Sequence, residues 1–337
     1  MRGDTGMSHL LEALRRPNFE LANRLVMPPM ATSKAEAGGS VSRALLDYYS
    51  EKSAGGFFGL VITEHSYVRP DGKASANQLS LAADGMIEGL GRLVAAIHRN
   101  GSKCAAQLNH AGSATSEGIT GVGPVGPSAI ANPRLGGLPR ELARAEIGGI
   151  VGAFRDAARR AKEAGFDAVE IHSAHGYLLN QFLSPLANRR SDEYGGTLER
   201  RIRIHLEVIE AVRGAVGPAF PILLRLGASD FAEGGTTPED GCAAALAFEK
   251  AGVDVIDISG GFTGYVVPGL AGQGYFAPLS RAVRSAVSVP VILTGGITEA
   301  AAAERLLAEG AADLIGVGRA VLADSGWARR AIESLRG

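Results

Sequence analysis

The chain is short of several things at once. Two cysteines, Cys104 and Cys242, in 337 residues are too few for a disulfide framework or a four-cysteine metal or iron–sulfur site within one chain. Neither charge is in excess: 34 Lys+Arg stand against 35 Asp+Glu, a formal net charge of -1. That balance lacks the basic footprint by which a protein binds nucleic acid or anionic lipid. No apolar run reaches the roughly 18 residues of a membrane span. Met1–Leu10 has no apolar signal-peptide core, so the expectation is a cytoplasmic protein. Met1–Gly6 is set aside as a start-site extension. Glycine, by contrast, is abundant. There are 46, about twice ordinary usage, clustered between apolar runs without the three-residue period of collagen.

The order of elements predicts the fold. Short apolar runs of strand type lie at Leu25–Pro28, Leu60–Thr63, Lys103–Leu108, Ala168–His172, Ile222–Leu226, Val255–Ser259, Val289–Thr294 and Leu314–Val317. Helix-patterned stretches follow at Arg43–Ser53, Met86–Asn100, Glu146–Ala164, Leu198–Val216, Pro238–Ala251, Leu279–Val287, Glu299–Glu309 and Ser325–Leu335. Buried strands alternating with helices argue a parallel sheet, and eight such units argue a closed (β/α)8 TIM barrel. Residues 1–20 read as an N-terminal extension or lid segment and 21–337 as the barrel. Glycine follows the helix in Ala164-Gly165, Ala251-Gly252 and Glu309-Gly310, where a left-handed residue costs least. The longest irregular stretches, Asn109–Arg140, Ser173–Thr197 and Gly260–Pro278, all follow strands. They therefore belong to the C-terminal face, where barrels carry their active sites.

Three groups of residues carry candidate chemistry. His172, His175 and Tyr177 follow strand four in His172-Ser173-Ala174-His175-Gly176-Tyr177. Imidazole donors stabilise charge on oxygen, and a tyrosine can act as general acid toward a basic carbanion. Metal binding by the histidine pair and a merely structural polar loop are the competing readings. Glu170, Arg225 and Asp257 place charge inside strands, where it must be paired. A structural ion network is favoured for Glu170 and Asp257. Arg225, near a strand's C-terminal end, can instead hold an electron-rich ligand. Gly295 and Gly296 close strand seven, and Gly318 and Arg319 close strand eight, the loops where barrels often bind phosphate. Gln107 ends strand three, where an amide suits a heterocycle's edge. His65 ends strand two and reads more readily as structural. The cysteines read as inert small hydrophobes.

This constellation resembles the old yellow enzyme family of NAD(P)H:flavin oxidoreductases, from about Asn23 to Leu335. The most specific stretch is His172-Ser173-Ala174-His175-Gly176-Tyr177-Leu178-Leu179-Asn180-Gln181-Phe182-Leu183-Ser184-Pro185, continuing through Asn188-Arg189-Arg190-Ser191-Asp192-Glu193-Tyr194-Gly195-Gly196. Asn23-Arg24-Leu25-Val26-Met27-Pro28-Pro29-Met30 and Gly126-Pro127-Ser128-Ala129 resemble the family's first strand and third loop. The resemblance implies FMN at the top of the barrel. Pro28, Pro29, Met30 and Ala31 would line it, as would the backbone of His65. Gln107 would meet its pyrimidine edge, and Arg225 would lie by N1 and the C2 carbonyl. Gly295, Gly296, Gly318 and Arg319 would hold its phosphate. His172 and His175 would grip a carbonyl oxygen, and Tyr177 would protonate the α-carbon of an activated alkene. NADH or NADPH would be the reductant in a ping-pong cycle.

Three departures from the family accompany the resemblance. Ala31 stands where many relatives carry Thr or Cys, and His65 where a small residue is expected. The cysteine-rich segment and nucleotide domains of the 2,4-dienoyl-CoA reductase and trimethylamine dehydrogenase types are missing, so no internal FAD relay is expected. The alternatives are an FMN-dependent dehydrogenase of an amine or cyclic ketone, and a non-catalytic flavin-binding protein. A metal-dependent or Schiff-base lyase lacks its strand-end lysine or carboxylate set. No metal, nucleic acid or membrane partner is expected, and homo-oligomerisation is left open.

Overall fold

The computed structural model describes residues 8–133 and 137–336. The extension Met1–Gly6 lies outside them. Eight strands form the barrel: β1 Leu25–Met27, β2 Leu60–Ile62, β3 Lys103–Asn109, β4 Ala168–Ser173, β5 Ile222–Gly227, β6 Val255–Ser259, β7 Val291–Leu293 and β8 Leu314–Gly316. Every neighbouring pair is parallel. The order runs β2-β1-β8-β7-β6-β5-β4-β3, and pairing of β2 with β3 closes the circle. The outer helices are α1 Arg43–Lys52, α2 Ile87–Arg99, α3 Arg144–Glu163, α4 Arg203–Val216, α5 Pro238–Lys250, α6 Ala277–Ala286, α7 Ala300–Ala308 and α8 Trp327–Leu335. Among the described residues no helix is long and apolar enough to cross a membrane.

Local chemistry sets the ends of these elements. Ser42 Oγ accepts from Leu45 N at 3.0 Å to open α1, and Thr237 Oγ1 accepts from Asp240 N at 3.2 Å to open α5, with Pro238 in the first turn. Gly165, Gly252 and Gly310 stand at φ +94°, +107° and +68° after α3, α5 and α7. The acid that follows each glycine has its own task. Asp167, Asp254 and Asp313 accept from the N–H of Cys104, Ile222 and Val291 at 2.8, 2.8 and 3.0 Å, groups at the starts of the preceding strands. A basic side chain next to that strand start completes each cap: His98 at 2.7 Å, Arg213 at 2.6 Å and Arg284 at 3.1 Å. The same three-part joint therefore recurs around the barrel bottom.

Inside the barrel the period-two alternation of the strands separates two zones. The lower zone is apolar, with Val26, Leu60, Ile62, Ala105, Ala168, Leu223, Val255, Ile292 and Leu314 in one cluster. Leu14, Phe19 and Leu21 complete that cluster from below. They belong to a hairpin, Leu14–Arg16 with Phe19–Leu21, which crosses from the segment 1–20 read as an N-terminal extension into residue 21. Its strands are too short to register as periodicity. One turn higher the inward positions become polar: Gln107, Glu170, His172, Arg225, Asp257, Ser259 and Thr294, all buried.

Two further departures from the sequence expectation concern the loops. Ser173–Thr197, expected as irregular, contains a helix at Leu178–Leu183 whose six residues are all buried. The helix expected over Leu198–Val216 breaks at Ile202 into Leu198–Arg201 and α4.

Candidate active site

The C-terminal mouth of the barrel holds a cavity of about 800 Å³, within the range of small-molecule sites. Pro28, Pro29, Met30, Ala31, His65, Gln107, His172, His175, Tyr177, Arg225, Gly295, Gly296, Gly318 and Arg319 all line it. Residues from seven of the eight strand exits thus converge on one chamber. Tyr265, Tyr275 and Phe276 of the sixth loop line it as well.

On one side stands the imidazole–phenol group. His172 is the last inward residue of β4. The chain then makes a tight turn, with Tyr177 N donating to Ala174 O at 3.2 Å and Gly176 N to Asn180 Oδ1 at 2.8 Å. His175 takes φ +60° in that turn, a left-handed conformation that costs a non-glycine residue roughly 1–2 kcal/mol. The turn brings the His175 ring to 5.0 Å from His172, and Tyr177 to 5.0 Å from His172 on another side, centroid to centroid. His175 Nε2 meets Ser259 Oγ at 2.7 Å. Sequence reasoning had not singled out Ser259, though its place one inward step above Asp257 on β6 marks it.

The floor is a charged network. Gln107 Nε2 donates to Glu170 Oε1 at 2.7 Å, so the amide offers its carbonyl end to the cavity. Arg225 Nη1 lies 3.4 Å from Asp257 Oδ2. Glu170 and Asp257 are fully buried. Burial pushes the Asp257 carboxyl up to about 6, against the pull of Arg225. Burial, and then the charge of Asp257, hold Glu170 well above the ordinary carboxylate range. One cation faces two carboxyls, and burial raises both of them together. Both sequence readings of these residues therefore meet in one place: Glu170 and Asp257 form a buried network, and Arg225 belongs to it while lining the cavity.

Opposite lie the glycine exits of β7 and β8. Gly295 and Gly296 stand at φ +111° and +69°. A Cβ on Gly296 would fall on the carbonyl oxygen of Gly272, so the turn admits only glycine. Gly318 precedes the short helix Arg319–Ala323, whose first N–H groups have no acceptor within the helix. Arg319 Nη2 donates to Tyr275 OH at 3.2 Å, and Tyr275 OH to Tyr265 O at 3.0 Å.

Two supporting residues were invisible in the sequence. Glu64, next to β2, accepts from Thr32 N at 3.2 Å and from Thr32 Oγ1, tying down the loop that begins with Pro28–Ala31. Gln78 holds His65 through both its ring and its backbone. Each pairing joins distant stretches of loop, which leaves no local pattern to read.

Among the described residues the one group of three side chains able to hold a metal is His98, Cys104 and Asp167, not the His172–His175 pair. It is one of the three recurrent strand caps. Burial pushes the Cys104 thiol up, far from the thiolate a metal requires.

Comparison with known proteins agrees with this architecture. The family model described as "NADH:flavin oxidoreductase / NADH oxidase family" matches residues 10–336. The chain is 44% identical over 335 residues to an NADH oxidase of Thermoanaerobacter brockii, covering 98% of this chain and 51% of the relative. It is 42% identical over 316 residues to an NADPH dehydrogenase of Clostridium acetobutylicum, covering 93% and 91%. The chain thus spans about half the length of the first relative and nearly all of the second. Among solved structures, the old yellow enzyme homologue from Zymomonas mobilis superimposes with a TM-score of 0.85 at 28% identity, covering 96% of this chain and 92% of that one.

Proposed function

Because the chain belongs to the NADH:flavin oxidoreductase / NADH oxidase family, we propose that it is an FMN-dependent ene-reductase. On this reading it uses NADH or NADPH to reduce the activated C=C bond of α,β-unsaturated carbonyl compounds. The observation that carries the reading is the gathering in one cavity of a buried cation, an amide, a glycine turn and an imidazole–phenol group.

The residues fit a flavin mononucleotide. Arg225 is buried, and its Nε has no partner among the described groups. A buried guanidinium N–H calls for an acceptor, which the pyrimidine edge of a flavin supplies. Gln107, with its NH2 turned down to Glu170, offers Oε1 to the N3–H of the same edge. The backbone N–H groups of the glycine turn at 295–296 and of Gly318 and Arg319 suit the phosphate, with the Tyr275 ring packed beside the turn. Pro28–Ala31 would form the apolar wall beside the ring.

FMN, when bound, supplies the hydride relay between NAD(P)H and the alkene. The chain's own residues do the rest. Arg225 holds a fixed positive charge where reduction deposits negative charge, and Asp257 keeps the guanidinium in place. His172 and His175 hold the substrate's carbonyl oxygen, which polarises the double bond toward its β-carbon. Ser259 fixes the His175 ring by engaging Nε2. Tyr177, close to His172, delivers the proton to the α-carbon. Ala31 places only a methyl beside the flavin, so the protein lacks the polar side-chain contact there that Thr or Cys would provide.

The test is a spectrum followed by a stopped-flow experiment. The purified protein should show FMN absorbance, bleach with NADH or NADPH, and recover its colour on mixing anaerobically with cyclohex-2-enone. Anaerobic bleaching of the oxidised protein by an amine or a saturated cyclic ketone, with no reoxidation by the enone, would point to the dehydrogenase reading. Failure to bleach with either nucleotide would point to a non-catalytic flavin protein. A colourless protein after incubation with FMN would end the proposal.

A further inference from the structure

Glu170 is a buried acid that the proposed chemistry leaves unused, and Asp257 enters it only as the counter-ion of Arg225. The two stand at inward positions of β4 and β6, with Arg225 of β5 between them and Gln107 of β3 on the other side of Glu170. Gln107 and Glu170 are register partners, as are Arg225 and Asp257. Gln107 and Arg225 line the cavity, and the two carboxyls stand behind them, 0% exposed. No other charged side chain belongs to this set: β7 presents Ile292 beside Asp257, and His172 stands two residues further along β4.

The oxygens of the two acids are short of donors. Glu170 Oε1 accepts from Gln107 Nε2 at 2.7 Å. Glu170 Oε2 and both oxygens of Asp257 have no hydrogen-bond donor among the described residues. Arg225 Nη1 comes to 3.4 Å from Asp257 Oδ2, near enough to balance a charge but without a hydrogen bond. Doubly ionised, the pair would set two negative charges against one positive and leave three buried oxygens unsatisfied, which low-dielectric surroundings strongly disfavour. The carboxyls are within hydrogen-bond reach of each other, so one proton between them removes both faults. Burial raises both acids, and Asp257 raises Glu170 further, while Arg225 pulls both back.

We propose that Glu170 and Asp257 are positioning residues that share one proton. Glu170 Oε2 carries it and donates it to Asp257, which keeps the single negative charge that answers Arg225. Glu170 Oε1 remains a pure acceptor and holds Gln107 by its NH2 end. A neutral Glu170 also spares Arg225 a second carboxylate, so the guanidinium keeps its attraction for an electron-rich ligand. The consequence for FMN rests on the reading of the cavity as a flavin site, whereas the shared proton does not.

The experiment is infrared difference spectroscopy near neutral pH, wild type minus Glu170→Gln, on purified protein labelled with 13C-aspartate and 13C-glutamate. The labels separate carboxyl bands from those of any flavin, and Glu64 cancels in the difference. The expected difference is the C=O stretch of a neutral carboxyl, shifted in D2O. Carboxylate bands alone would overturn the proposal. FMN affinity then reads the positioning. Glu170→Leu removes the acceptor for Gln107 and the donor to Asp257, and should weaken FMN binding about tenfold to a hundredfold. Glu170→Gln supplies both again and should restore most of it. Equal losses in the two variants, or none in either, would overturn the positioning role. If Glu170→Leu does not fold, the infrared difference and a near wild-type FMN affinity of Glu170→Gln decide. A neutral carboxyl in a protein that takes up no FMN upholds the shared proton and sinks the flavin reading. Carboxylate bands alone in a protein that binds FMN sink this proposal and leave that reading standing.

Discussion

Glu64→Gln should make the protein harder to unfold near pH 8 while changing little near pH 4.5. Glu64 is 1% exposed and holds the loop at Thr32 through backbone and hydroxyl. Burial pushes its carboxyl from 4.5 up to about 7, opposed in part by those hydrogen bonds. Since the folded value is raised, the stabilisation belongs to the protonated form. It is complete below about pH 4.5, where the acid is neutral in both states. It is lost as pH climbs to about 7, because the unfolded chain ionises first. At about 1.4 kcal/mol per pH unit, a rise from 4.5 to about 7 withdraws about 3 kcal/mol. Glutamine can still accept from Thr32 but has no proton to lose. The gap between variant and wild type should therefore widen by about 3 kcal/mol across that window and stay constant above it. Urea unfolding followed by tryptophan fluorescence at a series of pH values measures the gap, and the other titrating groups cancel in the difference. A gap that is the same at both ends of the range would refute the reasoning.

Other substitutions probe the remaining parts of the cavity. Tyr177→Phe should slow reoxidation by an enone about a hundredfold or more and leave reduction by NAD(P)H unchanged, as read by stopped-flow absorbance; equal rates in both variants would remove the tyrosine from proton delivery. Arg225→Met leaves Asp257 and Glu170 facing each other without their cation. A loss of about 3–5 kcal/mol in stability and of bound flavin should follow, with Arg225→Lys recovering part of both in melting and flavin-content assays. Gly296→Ala puts a Cβ on the Gly272 carbonyl at φ +69°. It should lower FMN retention on dialysis far more than Gly318→Ala, whose Cβ would make only ordinary contacts with Met30 and Pro28 at 3.4 Å.

Elements with a local signature could be read from the chain. The eight barrel strands carry runs of buried residues, and the glycines after α3, α5 and α7 mark helix ends by their backbone freedom. The hairpin at Leu14–Leu21 escaped because three-residue strands carry too little periodicity to separate from loop. The helix at Leu178–Leu183 escaped because it is six residues long and its polar residues, Asn180 and Gln181, are buried on hydrogen bonds and do not form a solvent face. In the site, the histidines, Tyr177 and Arg225 stood out as chemistry-bearing types at strand exits. Ser259, Glu64 and Gln78 are polar residues without a motif, and only their partners make them part of the cavity.

Composition, element order and the His172-to-Gly196 stretch sufficed for the class of fold, the face that carries the site and most of the side chains that line it. A parallel barrel delivers every strand's C-terminal end to one place, so naming the strand exits names the cavity wall. Which groups touch is another matter. The pairing of Arg225 with Asp257, of Thr32 with Glu64, and of His65 with Gln78 and Asn109 depends on how neighbouring strands and their loops are staggered once the circle closes. Protonation follows from those contacts. The raised carboxyls of Glu170 and Asp257 are properties of low-dielectric surroundings and neighbouring charge, which exist only after residues far apart in the chain have been brought together.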